Sequence, residues 1–163
     1  MRAISHARMR TIQIPPATVG ILPNSRALAR ASADAIVRAA LDAIGKHGRF
    51  SIALSGGSTP KAIFEVIASD QSGGRCPVEW EKVHVFFGDE RCVPRDHADS
   101  NYRMASEALL SKVPVPPSQV YRIQTELGET AAAGRCAADL RAVCQTAPGT
   151  VPRLDLVMLG MGN

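Results

Sequence analysis

Phe50-Ser51-Ile52-Ala53-Leu54-Ser55-Gly56-Gly57-Ser58-Thr59-Pro60-Lys61 is the stretch on which the fold turns. Ser51 to Leu54 is an apolar run too short for a helix and bounded by turn residues, which reads as a buried strand. The turn Ser55-Gly56-Gly57-Ser58-Thr59 follows, and a helical pattern runs on from Ala62. Thr59 is a good N-cap, and Pro60 suits the first helical position, where its missing N–H would be unpaired anyway. A strand, a glycine turn and a helix N-terminus together form an anion site, because free amides point outward and the helix dipole favours negative charge. Ser58 and Thr59 add hydroxyl donors, and phosphate is the natural occupant. The spacing matches neither the nucleotide P-loop, nor GxGxxG, nor the GxSxG elbow. Taken alone, the turn fits equally a connection that needs glycine only for its backbone angles.

The rest of the chain sets this turn in an ordinary globular context. Its 163 residues are enough for one domain, and 45% are hydrophobic and 21% charged. No apolar run approaches the length needed to cross a bilayer, and no secretory pattern opens the chain. The net charge of +4 is unevenly spread. Residues 1–33 carry Arg2, Arg8, Arg10, Arg26 and Arg30 and no acid, and the other 14 basic and 15 acidic residues leave the body near neutral. That balance argues against a nucleic-acid-binding face. The acid-free start fits a transit peptide or a nucleic-acid arm less well than a short disordered extension. Cys76, Cys92, Cys136 and Cys144 form no CxxC pair and no metal-finger spacing, so free thiols in a reducing cytoplasm and no metal site are expected.

Taken in order, residues 1–17 read as a flexible arm ending at Pro15-Pro16, and residues 18–163 as part of a single α/β domain. Val19 to Leu22 reads as a short edge strand. A long alanine-rich helix follows to about Gly45, capped by Asn24 or Ser25, stopped by Gly45 and Gly48 and striped with Leu28, Ala35, Ile36, Ala39, Ala43 and Ile44. After the glycine turn, a helix is expected to about Ser69, then a strand over Val83–Phe87. A helix over Tyr102–Ser111, a strand over Val120–Ile123, a helix over Glu129–Gln145 and a strand over Leu154–Leu159 complete the pattern. Strands alternating with helices predict a three-layer sandwich around a mostly parallel, Rossmann-like sheet. Ligands in such sheets bind beyond the carboxyl ends of strands. Three chemically loaded stretches fall there: Ser55 to Thr59, Gly88 to Arg91, and Gly160 to Asn163.

Gly88-Asp89-Glu90-Arg91 sets two carboxylates and a guanidinium directly after a buried strand. Arg91 can clamp a phosphate or carboxylate bidentately while one acid orients it or acts as a base. A solvated turn held by local ion pairs is the plainer alternative. His84 reads as a packed or hydrogen-bonded residue, and Ser100 or Asn101 as the cap of the next helix.

The segments LSGGSTP at Leu54–Pro60, FFGDERCVPRDHADSNYRMA at Phe86–Ala105 and LDLVMLGMGN at Leu154–Asn163 together resemble the glucosamine-6-phosphate isomerase/6-phosphogluconolactonase family. The arginine of Gly88-Asp89-Glu90-Arg91 resembles the lactonase branch, since the deaminases carry a Met-Asp-Glu-Tyr type sequence there. The resemblance implies hydrolysis of 6-phospho-D-glucono-1,5-lactone to 6-phosphogluconate, with no cofactor, no metal and no membrane or nucleic-acid partner. By position it implies that Ser55, Gly56, Gly57, Ser58 and Thr59 cradle the substrate phosphate and that Arg91 binds anionic or polar groups. It further implies that Asp89 stands beside the ring as a catalytic group and that Asn101 fixes the loop. In the family, the segment like Gly160-Met161-Gly162 continues into Asp-Gly-His-Thr-Ala-Ser, whose histidine activates water. None of His6, His47, His84 or His97 matches that position, which implies a truncated, inactive or weakly active chain with a sheet incomplete at its C-terminus. An amino-sugar-phosphate deaminase/isomerase and a non-catalytic sugar-phosphate-binding module are the alternative readings.

Overall fold

The computed structural model describes residues 9–160. Four strands form one parallel sheet: β3 (Phe50–Leu54), β4 (Val83–Phe87), β5 (Val120–Tyr121) and β6 (Leu156–Val157), in the order β5-β4-β3-β6. β3 is buried along its whole length, as expected of a central parallel strand covered on both faces. Phe50, Ile52 and Leu54 alternate with Ser51 and Ala53, and in register beside them Val83, Val85 and Phe87 alternate with His84 and Phe86. The first set faces the main core with Phe64, Ile67 and Trp80. Trp80, itself buried, satisfies its indole N–H on Gln71 Oε1 at 2.9 Å.

Helix α1 (Ser25–His47) supplies the wall beneath the cleft. Its buried stripe is Ala29, Ala33, Ala40, Ala43 and Ile44, with Ile36 and Ala39 only partly covered and Leu28 exposed. Small side chains let α1 lie close against α2 (Ser58–Ser72). Asn24 caps α1, its Oδ1 accepting from Ala27 N at 2.9 Å. Gly45 does not stop the helix; Gly48, with φ +80°, does, because a left-handed cap costs glycine nothing. Asn24→Ala should lower stability by about 1 kcal/mol, readable as a shifted urea midpoint at constant slope.

Several boundaries differ from expectation. α2 begins at Ser58 with Gly57 as its cap, so Thr59 lies inside the first turn and Pro60 at its third position. α3 covers Asn101–Ala108 and gives way to a 3-10 turn at Leu110–Lys112, while α4 ends at Val143 (Glu129–Val143). The expected strands over Val120–Ile123 and Leu154–Leu159 shrink to two residues each. The loose arm over residues 1–17 is corrected for its second half: β1 (Arg10–Ile14) and β2 (Ala17–Ile21) pair as an antiparallel hairpin around Pro15-Pro16. Val19 therefore belongs to that hairpin and not to the edge of the main sheet. Alternating apolar residues (Ile12, Ile14, Val19, Ile21) favour this pairing, which the two prolines had obscured. Arg2, His6 and Arg8 lie outside the described residues.

Candidate functional site

The chain steps from β3 to β4 to β5 in one direction and then returns to place β6 on the other side of β3. That reversal opens a crevice beyond the carboxyl ends of β3 and β6, where open parallel sheets bind ligands. A cleft of about 640 Å³ lies there, bounded by Ser55–Pro60, by Met158 to Gly160 and by Leu28, Ser32 and Ile36 of α1. Gly160 closes on Ser55: a side chain at Gly160 would meet the Ser55 hydroxyl at 3.9 Å. On the other flank Gly88 N donates to Leu54 O at 2.9 Å, tying the end of β4 to the end of β3. Three strand ends therefore meet at one rim. Met161, Gly162 and Asn163, the tip of the third loaded stretch, lie outside the described residues.

The turn has the features an anion needs. Gly57 adopts φ +107°, which only glycine takes without strain, and it caps α2 with no side-chain bond to the helix. The first turn holds no acidic residue. Lys61 N returns to Gly57 O at 3.1 Å, but among the described residues the amides of Gly57, Ser58 and Thr59 have no acceptor. Ser58 and Thr59 are exposed at the cleft, so amides, hydroxyls and helix dipole present positive potential to one spot.

The second loaded loop is held by a residue that sequence reasoning left in the background. Glu90 Oε1 accepts from Arg91 N at 2.8 Å and from Asn101 N at 2.7 Å. Its Oε2 accepts from the Ser100 hydroxyl at 3.1 Å and from Tyr102 N at 2.9 Å. Ser100 is the N-cap of α3, its Oγ accepting from Arg103 N. Glu90 and the cap of α3, Ser100, are ten positions apart, so no local pattern foretells the contact. With α3 fixed, the buried Asn101 side chain donates through Nδ2 to Asp89 O and Asp89 Oδ1, both at 3.2 Å. The same side chain stands against Gly56, where an added Cβ would lie 1.9 Å from Asn101 Oδ1. Gly56, unlike Gly57, is required for this close approach.

Each expected site residue has a definite place. Ser55, Gly56, Gly57, Ser58 and Thr59 line the cleft, and Asp89 is bound to it through Asn101. Arg91 is exposed, and among the described residues its guanidinium makes no hydrogen bond or ion pair. His84 is half-buried, 3.3 Å from the Tyr121 hydroxyl through Nδ1; burial, then the Arg49 charge, holds its pKa below the usual imidazole value. His47 contacts Asp155 at the opposite end of the sheet, and His97 Nδ1 accepts from Asp99 N within its own loop. The four cysteines are unpaired, and among the described residues no cluster suits a metal ion and no helix is long and apolar enough to cross a membrane.

Comparison with known proteins places this geometry. The family model described as glucosamine-6-phosphate isomerases/6-phosphogluconolactonase matches residues 23–163. A 6-phosphogluconolactonase of Nostoc is 42% identical over 147 residues, covering 90% of this chain and 59% of its own length. A probable chloroplastic 6-phosphogluconolactonase 3 of Oryza sativa subsp. indica is also 42% identical, over 83% of this chain and 42% of its own. The chain thus spans about half the length of the curated relatives it matches. Among solved structures, the 6-phosphogluconolactonases of Leishmania guyanensis and Trypanosoma cruzi superimpose with TM-scores of 0.73 and 0.71 at 29% and 26% identity. Each match covers 87% of this chain, and 59% and 57% of theirs respectively. On the strength of the family match and the Nostoc relative, the chain belongs to the glucosamine-6-phosphate isomerase/6-phosphogluconolactonase family.

Proposed function

We propose that this chain supplies the phosphate-binding part of a 6-phosphogluconolactonase, acting on 6-phospho-D-glucono-1,5-lactone. The observation that carries the reading is the set of amides at Gly57, Ser58 and Thr59, without an acceptor among the described residues and opening into a cleft shared by the ends of β3 and β6. A dianionic phosphoryl group satisfies those donors and the helix dipole together, as no neutral sugar would. The Ser58 and Thr59 hydroxyls complete the cradle.

With the phosphate anchored there, Asp89 stands beside the sugar ring and the exposed guanidinium of Arg91 takes its anionic or polar groups. Water activated by a base attacks the lactone carbonyl, and positioned donors stabilise the oxyanion as the ring ester opens. That base is the histidine of the family's Asp-Gly-His motif, which no histidine of residues 1–163 supplies. The reaction needs no cofactor. Four unpaired thiols fit a reducing cytoplasm, and the near-neutral body fits a small-molecule substrate better than nucleic acid.

Turnover by the whole protein tests the reading: acid release from the lactone, with no ammonia from glucosamine 6-phosphate, is the expected pattern, and the converse assigns the deaminase branch. In that assay Arg91→Ala should raise KM about tenfold while kcat falls less, because a substrate-binding charge is lost and the base is not. An unchanged KM would make the Asp89–Arg91 loop purely structural.

A further inference from the structure

We propose that Glu90 is the positioning residue of this site, latching the Asp89 loop onto the phosphate cradle through Asn101. The proposal deepens the phosphate reading above and rests on it. Glu90 accepts four hydrogen bonds, three from backbone amides and one from the Ser100 hydroxyl, and so spends its carboxylate on protein donors. It is therefore not the acid that meets substrate. Two of its backbone partners, Asn101 N and Tyr102 N, are open amides of the first turn of α3, and the third, Arg91 N, lies two residues after Asp89 in the loop. One carboxylate thus ties the start of a helix to the loop two residues after Asp89.

The consequence passes to the cleft by a short route. Glu90 holds the Asn101 backbone at 2.7 Å, and the Asn101 side chain in turn holds Asp89 and packs on Gly56. Asp89 would otherwise be an exposed loop residue with a freely rotating carboxylate. Gln at position 90 keeps the shape but cannot accept on both ends: its NH₂ would point at two of the donors that Glu90 now receives. The cradle amides of Gly57 to Thr59 belong to α2 and do not touch Glu90. Loss of the latch should therefore weaken recognition of the sugar and leave phosphate binding intact.

The test uses the full chain with two probes, inorganic phosphate and 6-phosphogluconate, titrated against wild type, Glu90→Gln, Asn101→Ala and the double variant. Glu90→Gln should weaken 6-phosphogluconate about tenfold and phosphate less than about twofold. In the Asn101→Ala background the same change should cost less than about twofold, because the two residues act in series. Hydrogen exchange of the Asn101 and Tyr102 amides should quicken at least about tenfold while Lys61 stays protected. Equal weakening of both probes, additive losses, or unchanged exchange at Asn101 would each overturn the proposal. If Glu90→Gln does not fold, Glu90→Asp, which withdraws the charge by one methylene, is read by the same criteria. Should wild type bind neither probe, the phosphate reading fails, and the exchange result alone decides whether Glu90 latches the loop.

Discussion

Gly56→Ala is expected to abolish ligand binding at this site, lowering affinity for 6-phosphogluconate about a hundredfold or more. The backbone of Gly56 needs no unusual angle; the requirement is space. A Cβ there would stand 1.9 Å from Asn101 Oδ1, 2.5 Å from its Cγ and 2.9 Å from its Nδ2. Asn101 cannot swing aside freely, because it is buried, its Nδ2 is bound to Asp89 and its backbone N–H to Glu90. Either the Ser55–Thr59 turn or the start of α3 must shift, and displacements of about 1 Å at a positioned site cost on the order of a hundredfold. Overpacking of this kind also costs about 1–3 kcal/mol of stability, so the affinity is to be read well below the variant's melting transition. Isothermal titration with 6-phosphogluconate checks it. Retained affinity would mean that the turn and the Asp89 loop are not one site.

Asp155→Ala should lower stability by about 2–4 kcal/mol at neutral pH, without touching the cleft. Asp155 precedes β6 and sits at the amino end of the sheet, where Oδ2 accepts from both Ser51 N and Ser51 Oγ at 2.7 Å. Its Oδ1 stands 3.0 Å from His47 Nε2 at the end of α1. One carboxylate thereby joins α1, β3 and the short β6, which has only two paired residues of its own. Ser51 is 2% exposed, so removing the carboxylate leaves its buried amide and its hydroxyl proton without an acceptor, although the hydroxyl oxygen still accepts from the residue 155 amide at 3.2 Å. Burial pushes the Asp155 pKa up, but the bonds from Ser51 and the His47 contact outweigh it and hold the group below the ordinary aspartate value. The folded-state pKa is depressed, so this stabilisation is present above the unfolded value, near 3.8, and is lost as pH falls through the folded one. Urea unfolding of both proteins should accordingly show a wide gap at pH 7 that closes below about pH 4. A gap that persists in acid would assign the loss to packing and not to the charge.

The core strand, the glycine turn and the parallel α/β arrangement were legible because their signals are local: an apolar run, a turn chemistry and a change of periodicity from strand to helix. Val83–Phe87 has the expected bounds for the same reason. Boundaries drifted where local chemistry was ambiguous. Thr59 looked like a cap, but Gly57 alone tolerates φ +107° and so ends the non-helical backbone one residue earlier than Ser58. The paired prolines looked like the end of an arm and prove to be the turn of a hairpin.

By itself, the order of residues determined that a glycine turn opening a helix follows the first core strand and that an acidic, arginine-bearing loop follows the second. These depend on what lies within a few positions along the chain. Tertiary structure alone decided that Glu90, between Asp89 and Arg91, spends its carboxylate largely on α3 and its cap, and that Asn101 fills the space Gly56 leaves. It likewise decided that Asp155 braces the far end of the sheet 104 positions from Ser51. Such contacts depend on which strand ends the crossover brings together, and that is settled by packing across the whole sheet, not by any neighbourhood in the sequence.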